Sequence, residues 1–80
     1  MGGNRRERQL VLLGLTPREA EVLYWVSNGK ADHDIGVIVG ASVRTIEKHV
    51  GNILRKLKVE NRTTAAVIAL GMLYQLQDFL

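Results

Sequence analysis

Wound at about 100° per residue, the stretch from Ser42 to Lys58 separates into two faces. Ile46, Val50, Ile53, Leu54 and Leu57 fall on one side. Arg44, Lys48, Gly51, Asn52 and Arg55 fall on the other, with Thr45, Glu47 and Lys58 at the margins. This pattern predicts a helix over 43–58. Ser42 is its N-cap, a short hydroxyl side chain placed to accept from the amide of Thr45. The apolar stripe anchors the helix to a core. The cationic, amide-bearing stripe suits a polyanion, although alone it is also the pattern of a solvated basic face.

The same reading places three further helices. Upstream, Thr16 is an N-cap, Pro17 takes the first helical position and Glu19 closes a capping box. That helix buries Val22, Leu23 and Val26 and stops at Asn28-Gly29; Tyr24 and Trp25 beside the stripe read as packing residues rather than a stacking platform. Asp32 to Val39 forms a shorter helix, with Ile35 and Val39 inward and Asp32 and Asp34 complementing its positive end. Gly36 there suggests close helix approach. Val37 and Ile38 are apolar on what should be an exposed side, so they meet Leu10 to Leu13 or a further domain. Gly40-Ala41 turns the chain into the basic helix. Helix, tight turn, second helix with a basic outer face is the helix-turn-helix arrangement that fits the DNA major groove. After it, Asn61 caps a last helix running from Arg62 to about Gln75.

That last helix is apolar over more than one stripe, more than a small domain covers, and the excess predicts a self-association face at Val67, Leu70 and Leu73. The alternative is a helix sunk in its own core. Residues 1–9 mix glycine and charge without an apolar period and read as an arm or linker, from which Arg5, Arg6 and Arg8 reach towards phosphate. Leu10 to Leu13 read as a short helical turn against the body. The expected divisions are an arm over 1–14, a domain over 15–75 with the helix-turn-helix motif at 32–51, and an extension over 76–80.

Composition narrows the chemistry. Eighty residues make one small domain. There is no cysteine, hence no disulfide, thiolate metal site or thiol nucleophile. The acid and histidine run Asp32-His33-Asp34 does not converge on one ion, because adjacent helical residues diverge by about 100°. The net charge of +3 and pI near 9.7 permit nucleic acid, and much of the excess lies on the helix at 43–58. No apolar run reaches the roughly 18 residues of a membrane span, and no secretory signal is present, so a cytoplasmic, nucleoid-associated protein is expected. His33 and His49 lack catalytic partners, no glycine-rich phosphate loop exists, and no catalytic residue, metal or cofactor is expected.

LTPRE at 15–19, EVL at 21–23, Gly29-Lys30, DI at 34–35, G-x-S at 40–42, RT at 44–45, His49, NILRKL at 52–57 and V-x-NRTTA at 59–65 together resemble the LuxR-type helix-turn-helix domain. This module serves quorum-sensing regulators and FixJ/NarL-type response regulators. The resemblance covers residues 15–70. It implies an all-α fold, a four-helix bundle with a central helix-turn-helix, and sequence-specific binding of double-stranded DNA by a transcription regulator. By position it assigns base reading to Glu47, Lys48, Gly51 and Asn52, and phosphate contact to Arg44, Thr45, Arg55 and Lys56, with His49 at the edge of the DNA backbone. It further implies a homodimer on a two-half-site operator through the C-terminal helix, with RNA polymerase as a further partner and no membrane. Three departures stand out. Ala31 replaces a capping Ser or Thr, so the second helix should start at Asp32. Lys58 replaces a terminating glycine, in a turn that calls for positive φ. Glu47 and Gly51 replace cations, which leaves the target sequence open.

Two other readings remain at this level: a sigma-region-four-like promoter module, and a helical protein-interaction module using Val37, Ile38 and the last helix.

Overall fold

In the computed structural model, Thr16 and Glu19 close a reciprocal capping box. The Glu19 amide donates to Thr16 Oγ1 at 3.1 Å and the Thr16 amide to Glu19 Oε1 at 2.9 Å. This starts helix α2 (Pro17–Ser27), with Pro17 in the first turn. The structure describes residues 5–78, with side chains through Tyr74. Helix α3 spans Asp32–Val39, α4 Val43–Leu57 and α5 Arg62–Asp78, preceded by a short α1 at Arg5–Gln9 and a 3-10 turn at Leu10–Leu13. Among the described residues the fold is entirely helical.

Helix α2 is the centre of the bundle and packs on α1, α4 and α5. Its Val22 and Leu23 meet Leu10, Ile35, Ile46 and Ile53 in the fully buried core. Each element thus sends the stripe expected of it inward. Ala65, Ala69 and Leu73 bring α5 onto the same core.

The turn between α3 and α4 is tight because two glycines permit it. Gly40 ends α3 with φ of 74°, a left-handed conformation costly for residues with a Cβ. The Ala41 amide then reaches back to the Gly36 carbonyl at 2.8 Å. A Cβ on Gly36 would sit 2.5 Å from the Ala41 carbonyl oxygen. The close approach expected at Gly36 is therefore with the turn that follows its own helix, not with a crossing helix.

Leu10–Leu13 form the expected short helical turn against the body, whereas residues 5–9, expected as an arm, form α1 and also fold onto α2, with Leu10 fully buried and Glu7 only 5% exposed. Glu7 and Leu10 are three apart, so a helical turn that carries the leucine into the core carries the glutamate's stem with it. Residues 1–4 of that arm lie outside the described residues. At the other end α5 continues past Gln75 to Asp78. The rest of the expected 76–80 extension, Phe79 and Leu80, lies outside the described residues.

Candidate nucleic-acid interface

Helix α4 is fixed at both ends by its own sequence. Ser42 Oγ accepts from the Thr45 amide at 3.1 Å and donates to Thr45 Oγ1 at 3.0 Å. That leaves the Thr45 hydroxyl proton available to an outside acceptor. At the other end Lys58 takes φ of 59° and ψ of 45°, the only positive φ of a non-glycine residue described, and its amide closes on Arg55 and Leu54 carbonyls. The glycine-like turn expected at Lys58 is present, carried by a lysine.

Between these ends Ile46 and Ile53 are buried, which turns the opposite face outward. Arg44, Thr45, Glu47, Lys48, Arg55 and Lys56 are exposed, while His49, Gly51 and Asn52 are half-buried. Arg44, Lys48 and Arg55 lie within about 40° of one another around the axis and along about 16 Å of it. Gly51 sits between them without a side chain, and a Cβ there would meet nothing within 4 Å. The stripe therefore presents separated cations with a gap where backbone is bare.

Local partners divide the cations. Arg55 Nη2 donates to Asn52 Oδ1, so the arginine is oriented along the helix and the amide N–H donors are not used by that bond. Lys56 turns the other way, to α2: its Nζ donates to Glu19 Oε1 at 2.7 Å. Burial alone would raise the Glu19 carboxyl, but the hydrogen bonds from Lys56 and the Thr16 amide, with the Lys56 charge, outweigh it and hold the group below its ordinary value. The Lys56 ammonium is thus engaged within the fold, unlike its expected place in the phosphate set. His49 Nδ1 is buried with no hydrogen-bond partner, so that nitrogen faces the protein rather than the solvent margin.

The positions expected to associate on α5 do not share one face. Val67 is 63% exposed, Leu70 is half-buried and Leu73 is 8% exposed within the core. The steps from 67 to 73 turn the helix through a net of about 240°, or 120° the other way, enough to carry the last residue inward. Tyr74, 57% exposed, takes the outward position that Leu73 lacks. On α3, Val37 is 72% and Ile38 44% exposed, so the Leu10 to Leu13 turn does not cover them.

Two interactions escape a reading by periodicity: Glu19 with Lys56, and Arg62 with Asp32 at 2.6 Å. Both join residues thirty or more apart, 37 and 30 respectively. Their only local signal is an acid within the first helical turn, which capping and dipole arguments already explain. Among the described residues no group of His, Asp, Glu or Cys is arranged to hold a metal ion, and no helix is long and apolar enough to cross a membrane.

Comparison with known proteins adds identity to this geometry. The chain is 47% identical over 58 residues to the transcriptional activator protein YukR of Yersinia ruckeri, covering 72% of this chain and 24% of that protein. It is 43% identical over 58 residues to a putative HTH-type transcriptional regulator, y4qH, of Sinorhizobium fredii, covering 72% and 18%. With the transcriptional regulatory protein LiaR of Bacillus subtilis the identity is 44% over 55 residues, covering 69% and 26%. The chain thus matches only about a quarter or less of the length of these relatives. No solved structure matches at a comparable significance. The model of the luxR family of bacterial regulatory proteins matches residues 13–69, which takes in the first half of α5 as well as the helix-turn-helix. That extent decides against the sigma-like reading, in which the module ends near its recognition helix. From the capped helices to the matched motifs, the chain belongs to the luxR family of bacterial regulatory proteins, DNA-binding transcription regulators.

Proposed function

We propose that this domain is the sequence-specific output domain of a cytoplasmic transcription regulator, with α4 laid in the major groove of double-stranded DNA. The observation that carries the reading is the exposed stripe of Arg44, Lys48 and Arg55 opposite the buried Ile46 and Ile53. Arg44, Thr45 and Arg55 meet phosphates at the margins of one groove. Lys48 projects from the middle of the stripe and donates to guanine O6 and N7. Glu47 accepts from cytosine N4 and repels nearby phosphate, and Asn52 adds its amide donors. Gly51 lets the backbone come close to the bases.

A gel-shift titration over a range of salt tests this. Arg55→Ala should weaken specific and random duplex alike and reduce the salt slope by about one. Lys48→Ala should cost about 1–3 kcal/mol at one base position and relax preference there. Selection of the same consensus by parent and Lys48→Ala would remove Lys48 from the readers.

A single short reading helix is little for a tight site, and specific complexes commonly pair half-sites about one DNA turn apart. The outward side of α5, with Val67, Leu70 and Tyr74, is the surface for that pairing. Association of so small a patch must first offset several kcal/mol of lost freedom. The domain is therefore monomeric at micromolar concentration and pairs on DNA. Equal microscopic affinity on one-half-site and two-half-site duplexes would defeat the pairing. Several relatives carry the name of transcriptional activator, which makes RNA polymerase the further partner of this reading.

A further inference from the structure

Helix α3 begins without a capping side chain, because Ala31 is its N-cap and has none to offer. Its first turn is held instead from another helix. Arg62, at the start of α5, donates from Nη1 to Asp32 Oδ1 at 2.6 Å and from Nη2 to the Lys30 carbonyl at 3.0 Å. The guanidinium fork therefore straddles Ala31, bonding the residue on either side of it. Among the described residues α3 and α5 otherwise barely touch.

We infer that Arg62 is a positioning residue that ties the orientation of the pairing helix α5 to the helix-turn-helix, and so sets the half-site spacing a pair of domains accepts. The argument rests on the pairing proposed for α5. If two domains meet through α5, the direction in which each presents α4 depends on how rigidly α5 is joined to the α3–α4 unit. Part of that joint is the packing of both on α2 and of α5 directly on α4. The part that reaches α3 directly is a planar, two-donor contact, and a planar fork restrains rotation where a single contact would not. Because Ala31 supplies no local cap, nothing in α3 itself substitutes for the fork.

The test separates orientation from mere stability. Duplexes carrying one half-site, or two at varied centre-to-centre spacing, are titrated with the parent, Arg62→Ala, Arg62→Lys, and the double variant Ala31→Ser with Arg62→Ala. Ala31 already has the extended backbone of a cap, with φ of −80° and ψ of 162°, so serine there restores a helix start without restoring the link. The parent should show a spacing optimum. Arg62→Ala should keep its one-half-site affinity within about two-fold while losing about five-fold or more of the cooperativity at the optimum. Arg62→Lys, a point charge without the fork, should fall between. The double variant should regain thermal stability, followed by the fluorescence of Trp25, but not the spacing optimum. An optimum and cooperativity restored in the double variant would overturn the inference, leaving Arg62 a stabilising contact and the pairing intact. No optimum in the parent would sink the pairing itself, and the inference with it.

Discussion

Lys56 Nζ lies 2.7 Å from Glu19 Oε1, so the carboxylate that closes the capping box of α2 also clamps α4. The Glu19 side chain is 6% exposed and the Lys56 side chain 40%. The carboxylate is the buried partner and the one that suffers when the pair is broken. Lys56→Met should destabilise the domain by about 2 kcal/mol, toward the low end for a buried charge left unpaired because the ammonium itself is half in water. The salt slope of DNA binding should change far less than in Arg55→Ala. A slope lowered as much as in Arg55→Ala would return Lys56 to the phosphate contacts.

The same pair gives stability a pH dependence. The folded-state Glu19 carboxyl lies below its ordinary value of 4.5. A carboxyl depressed in the folded state contributes stability that is fully present above its unfolded value and is lost as pH falls through the folded value. Melting temperature should fall on acidification below about pH 4.5, and more shallowly in Glu19→Gln than in the parent. Parallel curves for the two proteins would show that Glu19 carries no part of the acid sensitivity.

Gly36→Ala should be strongly unfavourable. Helix propensity alone would favour alanine by about 1 kcal/mol. The Cβ would meet the Ala41 carbonyl oxygen at 2.5 Å, and that atom is backbone in the turn, which cannot swing away as a side chain would. Overpacking costs of about 1–3 kcal/mol therefore outweigh the gain, and the movement displaces the start of α4. Chemical denaturation should show a net loss of stability, together with weakened DNA binding at temperatures where the variant is still folded. A variant as stable as the parent would mean the turn has room to move.

Gly51→Ala is expected to act in the opposite way on stability. Its Cβ meets nothing within 4 Å, and the residue lies within α4 with a helical backbone. Stability should rise by about 0.5–1 kcal/mol. If bare backbone at Gly51 approaches the bases, affinity for the selected site should fall at the same time. A gain in both stability and affinity would show that the gap is not used.

Lys58→Gly should stabilise the domain by up to about 1 kcal/mol, since left-handed backbone costs an L-residue roughly that much and glycine almost nothing. The greater freedom of glycine in the unfolded chain offsets part of the gain. A melting temperature lower than that of the parent would mean that the lysine side chain itself is needed at the end of α4.

The helices, their caps and most of the core were legible because each is a local pattern. Thr16, Ser42 and Asn61 cap the helices assigned to them, and Asn61 Oδ1 receives the Thr64 amide at 2.8 Å. The outward face of α4 was legible for the same reason: Ile46 and Ile53 fix its rotation. Three things were not. The commitment of Lys56 to Glu19 depends on how α2 and α4 cross, which no period within either helix encodes. The burial of Leu73 depends on where α5 meets α2, and an all-round apolar sequence does not mark its own inner side. The folding of Arg5–Gln9 onto α2 has no apolar period to announce it, whereas the Leu10–Leu13 turn that follows lies against the body as expected.

The caps on α4 have an evolutionary consequence. Its direction is held by Ser42 and by the turn at Lys58, and its rotation by residues that never face outward. Arg44, Glu47, Lys48 and Gly51 bear none of the folding burden. On the proposed DNA-reading role of this face, a lineage can exchange them one at a time and arrive at a new operator while the scaffold beneath stays as it is.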